Sequence, residues 1–314
     1  MSIRIIPRLD IKGPNLVKGL SFDGYRALGT AERFARLYYE QGADEIIYQD
    51  AVASLYQRNS LAEIVQRTAR EIFIPLTVVG GLRTIDDIRN ILRSGADKVA
   101  INTAAIADPE LIRSASRTFG SQCIMVSIEA KRLDNGKYEA WVDYGRQPTG
   151  VDAIEWAQRA VELGAGELLV TSIDREGMGT GYDIELASAI STLVPVPVIA
   201  CGGAGKKEHI IDVITSGKAD AVSAASLFHY HYMEPVDTLY ASSDDPTLRM
   251  GRHIDEGNLD YLRTRTCGGL PWTVIESASI TEVKNLMEMS GIPVRLDGKE
   301  HEGHVDPVSQ RSQS

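Results

Sequence analysis

Long apolar runs, cysteine pairs, aromatic residues and excess positive charge are all scarce in this sequence. No apolar stretch reaches the ~18 residues that a membrane-spanning helix requires, so no span is expected. The N-terminus, Met-Ser-Ile-Arg-Ile-Ile-Pro, offers neither a long apolar core nor a small-residue cleavage site, which argues against a secretory leader. The three cysteines, Cys123, Cys201 and Cys267, are odd in number, far apart and never in CxxC pairs. They exclude a disulfide framework and a cysteine-type zinc site, and they fit a cytoplasmic location. Lys and Arg number 33 against 43 Asp and Glu, a net charge of -10. That is the wrong sign for a general binder of nucleic acid or anionic membrane, although a local basic pocket for a phosphorylated small molecule stays open. GxSxG elbow, P-loop, HExxH and a GxGxxG after the first strand are all missing. His229 and His231 flank Tyr230 after the eighth strand, and that spacing alone is weak support for a metal site. Nothing calls for a metal or a redox cofactor. With 43% hydrophobic and 24% charged residues, the composition is that of a globular chain and excludes collagen, coiled coil and wholesale disorder.

What is present is a repeat. Residues 42–50, GADEIIYQD, return as 164–172, GAGELLVTS, 122 positions on. At the same offset Ile74–Gly81 aligns with Val196–Gly203, and at one residue more Ala96–Thr103 aligns with Ala219–Ser226. Matched blocks in one order make two similar halves of about 120 residues. Each half alternates short β-branched runs with amphipathic stretches of helical period. The runs are Ile3–Leu9, Glu45–Gln49, Pro75–Val79 and Lys98–Ile101, then Cys123–Ile128, Glu167–Thr171, Pro197–Ala200 and Ala221–Ala224. All are apolar on both faces, as buried parallel strands are. Four strands per half predict an α/β fold, a closed (β/α)8 TIM barrel with a two-fold half-barrel repeat. The near-equal halves weigh against the runner-up, a doubly wound open sheet. The 314 residues exceed the ~250 of a typical barrel, so a surplus needs a place.

Active sites of such barrels lie at the C-terminal ends of the strands. Asp10 closes the first strand and Glu129 the fifth, at equivalent points of the two halves, on opposite sides of the mouth. Two carboxyls in different surroundings can act as a general acid/base pair; the plainer alternative is that each caps its loop. After the third and seventh strands stand Gly80-Gly81 and Gly202-Gly203-Ala204-Gly205. After the fourth and eighth stand Asn102-Thr103 and Ala225-Ser226, each bringing a hydroxyl to a helix start. Glycine turns beside such starts suit two facing phosphate sites, and the hydroxyls would serve equally as N-caps. The implied ligand is elongated, with a phosphate at each end. The glycine-rich stretch Lys12–Leu28 reads as a lid loop in which Lys18 either neutralises phosphate or is merely solvated.

These stretches resemble the cyclase subunit of imidazole glycerol phosphate synthase, the HisF family of histidine biosynthesis. The resemblance runs over about residues 3–230 and resumes at Ile280–Arg295, in IIPRLDIK, LVKG, GADE, IPLTV, GGLRT, GADKVAINTAA, FGSQC, GAGE, TSIDREG, GYD, CGGAG and AASLFH. It implies a lyase/cyclase that uses ammonia to turn a phosphoribulosyl formimino aminoimidazole carboxamide ribotide into imidazole glycerol phosphate and an aminoimidazole carboxamide ribotide. By this resemblance Asp10 and Glu129 are the catalytic pair. Gly81, Asn102 and Thr103 match one phosphate site; Gly177, Gly203, Ala225 and Ser226 match the other. Thr171 falls among the substrate-binding residues, and Lys18 matches a lid lysine. Arg4, Glu45, Lys98 and Glu167 match a charged gate at the N-terminal face, where a HisH-like glutaminase subunit delivers ammonia. A ring of salt bridges that simply plugs the barrel is the bland alternative.

The match has departures. Glu129 is one methylene longer than the family's aspartate, Val79 interrupts a three-glycine turn, and Glu176 replaces an aspartate. A segment at about 231–275 has no repeat partner and is expected to be an inserted lobe after the eighth strand. The polar tail 296–314 is expected to be disordered, leaving a single barrel over 1–295 with halves at about 1–120 and 121–230 plus 276–295. These departures keep an alternative open: a HisF-like subunit that channels ammonia for amidation of a surface-polysaccharide nucleotide sugar. Intact Asp10 favours the cyclase.

Overall fold

Short runs of β-branched residues, buried on both faces, are joined in this chain by amphipathic helices. The computed structural model describes residues 2–13, 15–20, 23–51, 61–233, 266–267, 270–271 and 275–296. Strand β1 (Arg4–Lys12) is followed by the hairpin β2 (Asn15–Leu20) and β3 (Asp23–Thr30), then helix α1 (Ala31–Glu40). Next come β4 (Ile46–Asp50), α2 (Ala62–Thr68), β5 (Leu76–Val79), α3 (Ile85–Arg93), β6 (Lys98–Ile101), α4 (Thr103–Ala107) and α5 (Glu110–Phe119). The second half opens in the same way, with β7 (Ile124–Arg132), the hairpin β8 (Tyr138–Val142) and β9 (Gln147–Asp152), and α6 (Ala153–Glu162). It continues with β10 (Glu167–Ser172), α7 (Ile184–Ser191), β11 (Val198–Cys201), α8 (Glu208–Thr215), β12 (Ala221–Ala224) and α9 (Ser226–His229). Two short paired strands, β13 (Thr266–Cys267) and β14 (Leu270–Pro271), and helix α10 (Ile280–Met289) follow.

β1, β4, β5, β6, β7, β10, β11 and β12 pair in parallel in that order, and β12 returns to β1, so the sheet is a closed barrel. Every residue of β4, β5, β10, β11 and β12 is buried, as expected of strands with helices outside and a filled bore inside. Capping sets the helix starts. Thr84 accepts from Asp87 N while the Asp87 side chain accepts from Thr84 N, and Ser279 with Glu282 repeats the device before α10. Outside the sheet, Phe34 and Tyr38 of α1 pack with Phe228 and His229 of α9. His229 is thus a core residue, stacked on Tyr38 at 5.8 Å and hydrogen-bonded to its hydroxyl. Burial holds it neutral, its pKa lowered to about 3. Inside the bore a separate apolar layer is formed by Ile6, Ile47, Val79, Ala100, Met125, Leu169, Ile199, Cys201 and Ala221.

The half-barrel repeat is visible in the strand register. Asp10 pairs with Gln49 across β1 and β4, and Glu129 pairs with Thr171 across β7 and β10. Gln49 and Thr171 are the residues that the 122-residue offset equates, so Asp10 and Glu129 stand at equivalent heights. One expectation is corrected: Lys12–Leu28 is not an open loop. β1 runs past the barrel rim, and its last residues Asp10–Lys12 pair antiparallel with Asn15–Val17 across a turn at Gly13, φ +62°. The matching β8–β9 hairpin after β7 is a second feature of the same kind. Most of the segment expected as an inserted lobe and nearly all of the polar tail lie outside the described residues.

The turns after β5 and β11 show why glycine is needed there. Gly80 has φ +100° and Gly202 φ +89°, a region where a side chain strains the backbone. A Cβ on Gly80 would stand 3.1 Å from the Asp50 carbonyl oxygen, and one on Gly202 2.9 Å from that of Ser172. Gly80→Ala and Gly202→Ala should each lower unfolding free energy by about 1–3 kcal/mol. Denaturant melts check this, and unchanged midpoints would contradict the strained-turn reading.

Candidate active site

At the C-terminal rim of the bore, strand alternation points Arg8 and Asp10 inward from β1. Arg8 is 2% exposed, among the largest fully buried side chains. Its Nε and Nη2 reach the two Asp10 carboxylate oxygens at 3.1 and 3.2 Å. Nη2 also donates to Glu176 at 2.8 Å and Nη1 to Cys201 Sγ at 3.1 Å. Lys18, carried in by the β2–β3 hairpin, pairs with Glu176 and lies 3.5 Å from Asp10 Oδ2. Two cations and two carboxylates thus share one buried cluster of balanced charge. Burial works against each ion, yet the opposite charges win. Asp10 and Glu176 are held below the ordinary carboxylate range, beside Arg8 and Lys18. Lys18 is held protonated by Glu176 and Asp10.

Glu129, across the mouth, has a different environment. Burial pushes its carboxyl up to about 7, against the lowering effect of the Gly145 backbone N–H, which donates to Oε2 at 2.7 Å. Gly145 belongs to the β8–β9 turn, where Asp143 and Tyr144 take left-handed backbone angles of φ 54° and 60°. Such angles are rare outside glycine and persist when the surroundings enforce them. Here Asp143 N donates to Thr103 Oγ1 at 3.1 Å, and the Tyr144 hydroxyl faces Asp10 and favours its ionised form. The turn therefore ties both sides of the mouth together.

Two pockets open at the mouth, one lined by Glu129 and the other by the ion partners of Asp10. One, of about 340 Å³, is lined by Gly81, Asn102 and Thr103 together with Glu129, Tyr144 and Gln49. The other, of about 20 Å³, is lined by Gly177, Gly203, Ala225 and Ser226 together with Arg8, Lys18 and Glu176. Thr171 stands beside Glu129 in register and is hydrogen-bonded to Cys201. Asn102 and Ala225 share one backbone conformation, φ/ψ −119°/−86° and −117°/−77°, at the starts of α4 and α9. Neither makes a side-chain cap: Asn102 Nδ2 instead donates to the Trp141 carbonyl at 3.3 Å. Lys18 is not solvated; it is buried in the ion cluster beside the second pocket. Sequence reasoning missed Arg8 and Tyr144 and treated Glu176 only as a departure. An arginine two residues before Asp10 on an otherwise apolar strand was the available signal for Arg8.

At the opposite face the four gate candidates form one ring. Arg4 pairs with Glu45 at 2.9 Å and with Glu167, and Lys98 reaches both glutamates at 2.9 Å. Thr77 Oγ1 donates to Glu45 at 2.6 Å, fixing that carboxylate. Among the described residues no group of three or more His, Cys, Asp or Glu is placed to hold a metal ion, and no helix is long and apolar enough to cross a membrane.

A closed (β/α)8 barrel with a half-barrel repeat and two carboxyls at its C-terminal rim defines the class: a TIM-barrel enzyme. The chain belongs to the histidine biosynthesis protein family, whose model matches residues 4–234. It is 56% identical over 208 residues, 66% of this chain and 98% of the relative, to an imidazole glycerol phosphate synthase subunit HisF from Legionella pneumophila. It is 48% identical over 228 residues, 73% of this chain and 90% of the relative, to a protein of the same name from Alkaliphilus metalliredigens (strain QYMF).

The Glu129 environment has a consequence for stability. Between pH 4.5 and about 7 the folded chain keeps a proton that the unfolded chain has lost, so this group's contribution falls as pH rises through that window. Glu129→Gln cannot ionise and escapes the loss. Its melting temperature relative to the parent should therefore climb between pH 5 and pH 8; a constant difference over that range would refute the assignment.

Proposed function

We propose that the chain is the cyclase subunit of imidazole glycerol phosphate synthase. It would take ammonia and the phosphoribulosyl formimino aminoimidazole carboxamide ribotide, and release imidazole glycerol phosphate and the aminoimidazole carboxamide ribotide. The observation that carries the reading is the division of acidity between Asp10 and Glu129, at equivalent heights on opposed strands, with one glycine-lined pocket beside Glu129 and another beside Arg8, Lys18 and Glu176, the ion partners of Asp10. Adding ammonia to a carbonyl carbon needs a proton withdrawn from nitrogen and one delivered to oxygen; expelling an amine on ring closure needs a proton again. Asp10, kept ionised, is the acceptor, and Glu129, titrating near neutrality, is the donor. Gly81, Asn102 and Thr103 hold one substrate phosphate. Gly177, Gly203, Ala225 and Ser226 hold the other, with Lys18 as its counter-ion, and Thr171 is among the substrate-binding residues.

Ammonia arrives through the bore. Above the Arg4–Glu45–Lys98–Glu167 ring the lining is Ile6, Ile47, Ala100, Met125, Leu169 and Ala221, which suits a neutral molecule and rejects ammonium. A glutaminase partner docks at this N-terminal face. There the loops before β5 and β11 and the end of α10 expose Phe73 at 80%, Leu193 at 40% and Met289 at 85%. The word subunit in the relatives' names fits such a complex. No observation favours the nucleotide-sugar alternative.

The test is to give purified protein the ribulosyl substrate with ammonium salt at high pH. Imidazole glycerol phosphate should form, and Asp10→Asn should cut its formation by about 10²–10⁴-fold; a folded protein that makes none would overturn the reading. Replacing Phe73 and Met289 together by Asp should lower glutamine-driven turnover with the partner and spare ammonium-driven turnover. Equal loss of both would remove the docking face from the proposal.

A further inference from the structure

We propose that Arg8 is a positioning residue for Asp10: its guanidinium grips that carboxylate through two atoms and is itself pinned by Glu176 and Cys201, so that Asp10 meets the substrate in one orientation. The inference rests on the reading of Asp10 as proton acceptor given above.

Residues two apart on a strand share a face, so a long side chain at Arg8 can fold along the bore and lie against Asp10. The contacts use the planar fork of the guanidinium. Nη2 donates to Asp10 Oδ2 and to Glu176 on the loop after β10, Nε lies 3.1 Å from Asp10 Oδ1 as an ion-pair contact, and Nη1 donates to Cys201 on β11. The plane is thereby fixed from three separate parts of the barrel. Charge alone does not explain the residue, because Lys18 already brings an ammonium to within 3.5 Å of Asp10. A point charge on a flexible stem neutralises without orienting; a planar guanidinium hydrogen-bonded to Asp10, Glu176 and Cys201 at once does both.

The groups facing Asp10 are Arg8 on its own strand, Lys18 on β2, Tyr144 at the β8–β9 turn, Glu176 after β10 and Cys201 on β11. Of these, burial aside, Arg8 contributes the largest pull toward the ionised form, followed by Lys18. The Arg8 charge also draws Glu129 downward, though burial of that group prevails. Arg8 therefore helps to keep the acceptor ionised and the donor within reach of neutrality.

The experiment compares Arg8→Lys, Arg8→Gln and the charge-balanced pair Arg8→Gln with Glu176→Gln, which guards against a variant that fails to fold. Two readouts are taken: ammonia-driven turnover against pH at constant free ammonia, and the titration of Asp10 and Glu129 carboxyls by ¹³C NMR. Arg8→Lys keeps the charge but not the fork. It should lose about 10²-fold in kcat with KM little changed, the size of loss that ~1 Å of misplacement causes, while Asp10 still titrates low. Arg8→Gln and the balanced pair should move the Asp10 titration, and the acidic limb of the rate profile with it, to higher pH. Full kcat in Arg8→Lys, or an unmoved Asp10 titration in folded Arg8→Gln, overturns the proposal. If the parent turns over no substrate but the Asp10 titration moves to higher pH in Arg8→Gln as described, the cyclase reading fails and the grip of Arg8 on Asp10 stands.

Discussion

Every second residue of a barrel strand points into the bore, and this alternation decides where charge can go. A closed parallel barrel has no room inside for unpaired ions, so inward charges survive only near the two ends and only in matched sets. Arg4, Glu45, Lys98 and Glu167 satisfy that rule at one end; Arg8, Asp10, Lys18 and Glu176 satisfy it at the other. The apolar layer from Ile6 to Ala221 separates them. The bore is thus stratified as ion ring, hydrocarbon and ion cluster. The two charged strata differ in kind. The lower one is partly wet, with Arg4 and Lys98 reaching solvent, so its pairs add little to stability. The upper one is dry, and losing one member would strand its partners without water.

The mouth is asymmetric although the scaffold is not. The repeat places Asp10 and Glu129 at the same height, but the half that holds Asp10 surrounds it with cations, while the half that holds Glu129 offers a backbone N–H and burial. Duplication of a half-barrel gives two equivalent carboxyl positions; divergence of their neighbours gives two chemical roles. The β8–β9 turn belongs to one half and reaches the other through Tyr144. The strained angles at Asp143 and Tyr144 sit where such a bridge has to be held.

Much of this was legible in the residues themselves. Matched blocks at a fixed offset gave eight strands within two residues at most of their ends, except where β1 and β7 run past the rim. They also located both carboxyls and both glycine turns, because each depends on spacing that a linear repeat preserves; the ring followed from the family resemblance, the repeat relating only Glu45 and Glu167. Other features were not legible, for identifiable reasons. The hairpin at Lys12–Leu28 is rich in glycine and lacks a clean period, so its pairing to β1 leaves no mark in composition. Arg8 looked like one more charge on a strand, since the partners that explain it, Glu176 and Cys201, are brought near only by closure. Tyr144 depends on two left-handed residues that no side-chain pattern announces.

Closure has a consequence in time as well as in space. β1 takes its second parallel neighbour from β12, through Arg4 and Ala221 and the residues that follow. Those partners are more than 200 residues apart along the chain. At synthesis rates of about 5–20 residues per second, β1 waits roughly 10–45 s with one edge open. An open edge of buried-type sequence recruits whatever strand comes first, including that of a neighbouring nascent chain. The β2–β3 hairpin covers only the part of β1 beyond the rim. Until β12 emerges, the first half-barrel is a sheet looking for its other half, and the internal likeness that built this molecule makes a second copy a plausible wrong one.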